Sequence, residues 1–327
     1  MSFVSHEKRI VVTGGAGFLG SAVVRKLRRR GCNQVIVPRR ATCDLSNPSD
    51  VARLFEKARP NLLLHLASAA DDPADGGTPA ESFYRNVLMS AHLMEAACRW
   101  GVAKMLCVGS EASYPADAPV PLREETLFDG LPEPARCAFG VAKRLPLVQA
   151  QAYRRQYGFL CVHAIPANLY GPGDHFASAS RSLVASLVWR FFEALEAAAG
   201  EVVIAGTGSA TRDLLHVDDC AEGILQALEH YDANEAVNLG SGTEIGIHEL
   251  ARKLARMAGF AGHIRWDASR PEGPRRRFLD ITRAQRAFDF HPRRQLQEGL
   301  HETVEWYRAR RARGAFEPRE KAFASPA

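Results

Sequence analysis

The stretch Gly14-Gly15-Ala16-Gly17-Phe18-Leu19-Gly20 restricts the folds open to this chain more than any other segment. It follows the β-branched run Arg9 to Thr13, and the helical spacing of Val24 and Leu27 begins directly after it. Glycines between a strand and a helix let backbone N–H groups approach a pyrophosphate, which then lies at the positive end of the helix. The residues predicted to contact a dinucleotide here are Gly14, Gly17, Phe18, Leu19 and Gly20.

Two arginines follow the second predicted strand, Gln34 to Val37. A fold that binds NAD usually has an acidic residue at this place, where it binds the ribose 2′-OH. Guanidinium groups suit a 2′-phosphate instead, so Arg39 and Arg40 predict NADP(H) as the cofactor. The alternative is that both arginines are merely solvated.

Strands and helices alternate through the first half of the chain. Leu62 to Leu66 reads as a buried strand, Glu81 to Trp100 as a helix and Met105 to Val108 as the next strand. This alternation predicts an α/β fold with a doubly wound parallel sheet, and it stops after Pro166 to Pro172, where a smaller α/β substrate lobe begins. The predicted units are a cofactor domain over 1–170 with a crossover segment at about 213–245, and a discontinuous lobe over 171–327.

Composition and charge exclude several classes of protein. The net charge of +5 is concentrated in short arginine runs without interleaved aromatic residues, which argues against nucleic-acid binding. The chain has neither a signal-peptide pattern nor an apolar run long enough to span a bilayer, so we expect a cytoplasmic protein without membrane contact. Seven cysteines without CxxC spacing indicate reduced thiols and no metal site.

With these segments in place, the chain resembles the extended short-chain dehydrogenases/reductases, the NAD-dependent epimerase/dehydratase family, and within it the GDP-L-fucose synthases. Those enzymes epimerise GDP-4-keto-6-deoxymannose at C3 and C5 and then reduce it with NADPH. The resemblance implies a Rossmann-like fold, NADP(H), a nucleotide-linked sugar as the substrate and a homodimer. The motifs that carry it span nearly the whole chain: Gly14 to Gly20, Ser110 with Tyr114-Pro115, Pro166 to Asp174, Arg212 with His216 to Asp219, and Asn238 to Gly242.

The resemblance also implies roles for individual residues. Ser110 would hydrogen-bond the sugar's 4-oxygen, Lys143 would hold the nicotinamide ribose, and Arg212 would meet the diphosphate. The other positions implied at the cofactor are Asp44 and Leu45 by the adenine, Leu66, Ala67 and Ser68 in the loop after the third strand, and Pro166, Asn168 and Leu169 by the nicotinamide. The residues implied at the substrate are Arg276 or Arg277, and Ser182. Ser182 stands at the position of the family's epimerisation histidine.

Three departures from the family's pattern concern the chemistry. The position of the family's catalytic tyrosine is Phe139, which has no proton to give, and the epimerisation cysteine and histidine are replaced by Ala112 and Ser182. Pro146 follows Lys143 closely, and proline inside a helix removes one N–H donor and clashes with the preceding turn. We therefore expect the helix after Phe139 to be kinked or to start late.

Glu111 directly follows Ser110 and is the candidate acid or base of a rewired active site. Its carboxylate either faces the sugar or is turned to solvent or to a nearby arginine. In the second case Tyr114 is the remaining candidate. Three functions stay open: a nucleotide-sugar enzyme with this altered chemistry, an ordinary NADPH-dependent 4-keto-sugar epimerase/reductase in which Ser110, water or Tyr114 replaces the phenol, and a non-catalytic NADP-binding regulator or partner subunit.

Overall fold

The computed structural model describes residues 7–69, 78–176, 182–270 and 273–314. In chain order the elements are β1 (Ile10–Thr13), α1 (Phe18–Arg29), β2 (Val35–Ile36), α2 (Pro48–Ala58), β3 (Leu62–His65), α3 (Pro79–Arg99), β4 (Lys104–Val108), α4 (Cys137–Tyr157), β5 (Cys161–Pro166), β6 (Asn168–Tyr170), α5 (Leu183–Glu196), β7 (Glu201–Ala205), β8 (Thr211–Arg212), β9 (Leu214–His216), α6 (Val217–His230), β10 (Ala236–Leu239), β11 (Ile245–Gly246), α7 (Ile247–Ala258), β12 (His263–Asp267), β13 (Arg276–Arg277), α8 (Thr282–Phe288) and α9 (Leu296–Ala312).

Six parallel strands form the main sheet, in the order β10-β5-β4-β3-β1-β2. The winding direction reverses between β1 and β3, and open α/β sheets bind their ligands outside the carboxyl ends of the strands at such a point. The prediction of a Rossmann-like, doubly wound parallel sheet is thereby confirmed. The glycine-rich turn follows β1 and therefore lies at this place.

Side chains alternate between the two faces of the sheet and build a core on each. Ile10 and Val12 pack in a cluster with residues of α1 and α6, whereas Val11 packs in another with residues of α2 and α3. Both clusters are fully apolar along β1 because the strand is covered by helices on both faces, as parallel strands are. Packing by helices on both faces holds the strands in place, and the candidate site lies at the ends of these strands.

The later elements have a core of their own. Helices α5, α7 and α9 contribute Phe191, Leu254 and Tyr307 to a third cluster, together with residues of β7 and β12. In contrast, β10 leaves this region and pairs in parallel with β5 at the edge of the main sheet. Among the helices of the described ranges, none combines the length and apolarity needed to cross a membrane.

The expectation of a kinked or late-starting helix around Pro146 is wrong in its second part. Helix α4 begins at Cys137, before Phe139 and Lys143, and runs through Pro146 to Tyr157 without interruption. Pro146 and Leu147 are buried, and α4 packs along α3. The cost of an interior proline is about 3 kcal/mol, and tertiary packing of a long helix can offset it.

Candidate active site

The glycine-rich turn has no room for side chains. Gly14 has a φ of +70°, and a Cβ there would lie 2.5 Å from the backbone nitrogen of Ala67. A Cβ on Gly20 would lie 2.0 Å from the Gly14 carbonyl oxygen, so α1 packs directly onto the turn. Gly17 is the N-cap of α1 and provides no capping side chain, which leaves the first N–H groups of the helix for an anion. This geometry fits a pyrophosphate.

A cavity of about 250 Å³ adjoins the turn. The predicted cofactor residues that line it are Gly14, Arg39, Arg40, Asp44, Leu45 and Ala67. Arg39 and Arg40 are both exposed at this cavity, as guanidinium groups that receive a phosphate should be. Hydrogen bonds from the Ser46 hydroxyl and backbone N–H hold the pKa of Asp44 below its usual value. Arg85 of α3, which sequence reasoning missed, also lines the cavity.

The other predicted cofactor residues lie around the same strand ends. Leu66 and Ser68 follow β3, and the Ser68 hydroxyl donates a 3.2 Å hydrogen bond to Asn86 Oδ1. Pro166 is the last residue of β5. The residues that are partly buried against the core at the edge of this region are Phe18, Leu19, Leu66 and Leu169. The sheet therefore brings these residues to one side of the fold.

Phe139 and Lys143 lie one helical turn apart on α4. The Lys143 Nζ is 5.8 Å from the centroid of the Phe139 ring. Burial lowers the pKa of Lys143 to about 8. Ser110 follows β4 and caps the short 3-10 turn Glu111–Ser113, where its Oγ accepts a 3.2 Å hydrogen bond from the backbone N–H of Ala112.

Two buried histidines surround Lys143. In the sheet register His65 pairs with Cys107, and Cys107 pairs with His163, so the three side chains point to the same face. Burial, with a further contribution from the charge of Lys143, lowers the pKa of both histidines to about 3. Both rings are therefore neutral at physiological pH, and Lys143 is the cation of this layer. Sequence reasoning had not identified His163.

Glu111 lies in a second cavity, of about 350 Å³. Its Oε1 accepts a 2.8 Å hydrogen bond from Asn168 Nδ2, whereas its Oε2 is inaccessible to solvent and has no hydrogen-bond partner among the described residues. Burial raises the pKa of Glu111, and the nearby charges of Arg277, Arg212 and Arg136 oppose that rise. The carboxylate is thus turned into the protein rather than into bulk solvent.

Of the arginines predicted at the substrate, two face the cavity and one does not. Arg212 of β8 pairs in register with Arg277 of β13, and both line the cavity that contains Glu111. Successive side chains of a strand point to opposite faces, so Arg276 points away from Arg277. Arg276 is exposed and forms an ion pair of 2.5 Å with Glu244. Arg212 and Arg277 therefore line this cavity and Arg276 points away from it, whereas their roles in substrate binding stay predictions.

Two further predicted site residues lie outside this cavity. Tyr114 is fully buried in the core, and its hydroxyl donates a 2.8 Å hydrogen bond to Asn238 Oδ1. Burial also raises its pKa well above the ordinary value, so Tyr114 is a structural residue and not a substitute proton donor. The Ser182 hydroxyl donates to the Asp174 carboxylate, and the described residues that line the cavity include its neighbour Leu183 but not Ser182. Ser182 is therefore not supported as a substrate contact.

Three charged residues of the cavity were missed by sequence reasoning. They are Glu133, Arg136 and Arg190. Arg190 had a recognisable signal, because it is the one charge in the apolar stretch Leu183 to Phe192 of α5. Glu133 and Arg136 lie at the two ends of the short 3-10 helix Pro134–Arg136, which is too short for a periodicity that would indicate which side chains face a cavity.

Known proteins resemble this chain over most of its length. Residues 10–240 match the profile of the NAD dependent epimerase/dehydratase family. The probable GDP-L-fucose synthase 1 of Oryza sativa subsp. japonica is 38% identical over 301 residues, 91% of this chain and 92% of the rice protein. The GDP-L-fucose synthase of Escherichia coli (strain K12) is 32% identical over 313 residues, 92% of this chain and 97% of that protein.

Solved structures agree with this relationship. The crystal structure of a GDP-6-OMe-4-keto-L-xylo-heptose reductase from C. jejuni superposes with a TM-score of 0.87 at 25% identity, covering 94% of this chain and 99% of that chain. MlghC, a GDP-mannoheptose C4 reductase from Campylobacter jejuni with NADP bound, superposes with a TM-score of 0.83 at 26% identity, covering 93% and 99%. The similarity therefore extends over nearly the whole chain.

Proposed function

This chain belongs to the NAD dependent epimerase/dehydratase family, and from that premise we propose that it is an NADP-binding enzyme that modifies a nucleotide-linked keto-sugar. It is an enzyme similar to the GDP-L-fucose synthases. The proposal adds that its active site is rewired: acid/base chemistry passes through Glu111, because Phe139 cannot exchange a proton. The observation that carries this proposal is the Glu111 carboxylate enclosed in a cavity lined by arginines.

The residues present fit NADP(H). Gly14 and Gly20 leave space only for backbone, the N-terminus of α1 receives the pyrophosphate, and Arg39 with Arg40 receives the 2′-phosphate. Asp44, Leu45 and Ala67 line the adenosine cavity, and Lys143 holds the nicotinamide ribose. When bound, the cofactor gives or accepts a hydride.

The substrate cavity fits an anionic sugar derivative. Arg212 and Arg277 hold the diphosphate, since guanidinium groups bind phosphate oxygens with two parallel hydrogen bonds. Arg212 is itself oriented by hydrogen bonds of 2.7 Å and 2.8 Å from its Nη1 to the carbonyls of Thr211 and Pro274. A volume of about 350 Å³ lies in the range of small-molecule sites.

Glu111 then acts on the sugar as the acid or base. Burial raises its pKa above the ordinary value, and a raised pKa favours a carboxyl as a general acid or base. Asn168 fixes Oε1, and Oε2 is enclosed without a hydrogen-bond partner among the described residues. Ser110, at the N-cap beside Glu111, hydrogen-bonds the sugar's oxygen. An ordinary epimerase/reductase remains the second candidate function. Tyr114 does not serve as its proton donor in this proposal, because the Tyr114 hydroxyl is buried and donates to Asn238.

The experiment is a substrate panel with matched variants. Keto-sugars linked to GDP, dTDP, UDP and CDP are offered to the NADP-loaded protein, and product formation is followed by mass spectrometry. We expect turnover of at least one substrate, and Glu111→Gln should abolish it while NADP binding is unchanged. Arg276→Gln, which removes an arginine outside the cavity, is the control. Turnover that is unaffected by Glu111→Gln would refute the role of Glu111.

The organisation of the chain is part of the same proposal. Residues 1–170 with the segment 213–245 form the cofactor domain, and the return of β10 to the main sheet supports this division. The rest of 171–327 forms the substrate lobe. We propose further that the protein is a cytoplasmic homodimer that contacts neither nucleic acid nor membranes.

A further inference from the structure

Arg136 is a further charged residue at the cavity that contains Glu111. It lies just before α4, lines the same cavity as Glu111 and is partly buried. The Cζ of its guanidinium is 5.2 Å from the centroid of the Phe139 ring. Cations stack favourably on aromatic faces at this distance, so the Phe139 ring helps to hold the guanidinium at the cavity wall.

The charge of Arg136 acts on Glu111. It is one of the three guanidinium groups that oppose the rise in the pKa of Glu111 caused by burial. The other two, Arg212 and Arg277, come from β8 and β13, whereas Arg136 comes from the segment that leads into α4. Arg136 therefore lies beside the N-terminus of the helix that carries Phe139 and Lys143.

We propose that Arg136 is a catalytic residue, an inference that rests on the proposed function. Arg136 binds the keto oxygen of the sugar while Glu111 removes a proton from the neighbouring carbon. The C–H bond breaks, and an O–H bond forms on Glu111. The electron pair moves into a carbon–carbon double bond, and the carbonyl pair moves onto oxygen to give an enolate. The guanidinium of Arg136 stabilises that oxyanion, and return of a proton to carbon restores the ketone.

This step explains why a phenylalanine is compatible with activity. Arginine stays protonated at all physiological pH values, so Arg136 stabilises charge without transferring a proton. Enolate formation needs no proton donor at the oxygen, whereas reduction does. Phe139 then serves as an apolar platform for the guanidinium, a task for which a hydroxyl group is not required.

The test is solvent-deuterium exchange on the same keto-sugar panel with the NADP-loaded protein in D₂O. Incorporation at carbons beside the keto group is measured by mass spectrometry and NMR. We expect Arg136→Gln to slow exchange by about 10²-fold, the typical cost of removing one oxyanion donor. Arg136→Lys should keep part of the rate, because it retains the charge. Arg276→Gln serves as the arginine control, and thermal unfolding verifies that each variant is folded.

Two further readouts separate catalysis from structure and from phosphate binding. The pH midpoint of exchange should rise in Arg136→Gln, because a charge that lowers the pKa of Glu111 is lost. Affinity for the nucleoside diphosphate alone should change little. A variant that loses exchange only in proportion to lost nucleotide affinity would show a phosphate contact instead, and would overturn the inference.

The outcomes also distinguish this inference from the proposed function. Exchange that is abolished by Glu111→Gln but unchanged in Arg136→Gln leaves the proposed function intact and overturns the role of Arg136. No exchange by the unmodified protein on any panel member overturns enolate formation. Product formation that is indifferent to Glu111→Gln overturns the proposed function itself.

Discussion

Asn168 donates a 2.8 Å hydrogen bond from its Nδ2 to Glu111 Oε1. This bond joins the start of β6 to the turn after β4, and it fixes the carboxylate in the cavity. Since the bond favours the charged form of Glu111, it opposes the effect of burial on the pKa. The pair therefore holds Glu111 in one orientation while its affinity for a proton stays raised.

The first prediction is that Glu111→Gln stabilises the protein at neutral pH. A carboxyl whose pKa is raised in the folded state favours folding below its unfolded pKa, and this contribution is lost as the pH rises through the folded value. The amide of Gln stays neutral, so the variant keeps this contribution to stability at high pH. We expect the Tm of the variant to exceed that of the unmodified protein by roughly 2 °C near pH 8, and the difference to vanish below the ordinary pKa of 4.5.

Calorimetry at several pH values measures this difference. Glu56→Gln, at an exposed glutamate on α2, is the control. A variant that is less stable than the unmodified protein at pH 8 would contradict a destabilising effect of the buried Glu111 carboxylate.

The second prediction concerns cofactor choice. Arg39 and Arg40 are exposed at the adenosine cavity, so the protein should bind NADP(H) more tightly than NAD(H). The double variant Arg39→Ala with Arg40→Ala should lose this preference, by at least tenfold, because each charged hydrogen bond contributes about 1.5–3 kcal/mol. Titration calorimetry gives both affinities. Arg286→Ala on α8 is the control, and equal affinities in the unmodified protein would contradict the prediction.

The third prediction is that reduction of GDP-4-keto-6-deoxymannose is slow and that Phe139→Tyr partly restores it. Loss of a positioned general acid typically costs about 10²- to 10⁴-fold. Lys143 and Ser110 remain in place, with Lys143 Nζ 5.8 Å from the Phe139 ring. NADPH oxidation is the readout. An unmodified protein as fast as a GDP-L-fucose synthase would show that Phe139 does not limit the reaction.

The fourth prediction is a homodimer formed through α3 and α4. The two helices lie side by side, with Gln149 Nε2 donating to the Ala91 carbonyl at 3.3 Å. Met94 is fully buried against the chain's own core, so the face left for a second copy includes Phe83 of α3 with Leu145 and Val148 of α4, which are 36%, 38% and 48% exposed. Light scattering should find a dimer.

Charge on this face should dissociate the dimer. We expect the double variant Leu145→Glu with Val148→Glu to be a folded monomer, because two carboxylates cannot be buried without partners. Leu131→Glu, at a residue that is 70% exposed and outside both helices, is the control and should remain dimeric. A monomeric unmodified protein at micromolar concentration would contradict the prediction.

The cofactor half of the site was predictable because its signals are local. Gly14 and Gly20 are set by the turn between β1 and α1, and Arg39 and Arg40 follow directly from the end of β2. Neither prediction requires knowledge of long-range packing. The conformation of the glycine turn and the cavity beside it agree with what the sequence pattern indicated.

The substrate half depends on contacts between distant segments. Only the pairing of β13 with β8 decides that Arg277 faces the cavity and Arg276 does not, and a two-residue strand has too short a pattern to show this. Tyr114 follows a candidate catalytic turn, yet its partner Asn238 is far away in sequence. Pro146 was judged from local propensity alone, which the packing of α4 on α3 overrides.

The return of β10 to the edge of the main sheet bears on how the protein is made. During synthesis β5 leaves the ribosome well before β10, and until residue 239 is available its outer edge has backbone groups without a neighbouring strand. A nascent chain that ends near residue 170 therefore presents an open edge to other chains. Pairing with β10 covers this edge of β5, so a chain of 170 residues lacks one of the six strands of the main sheet.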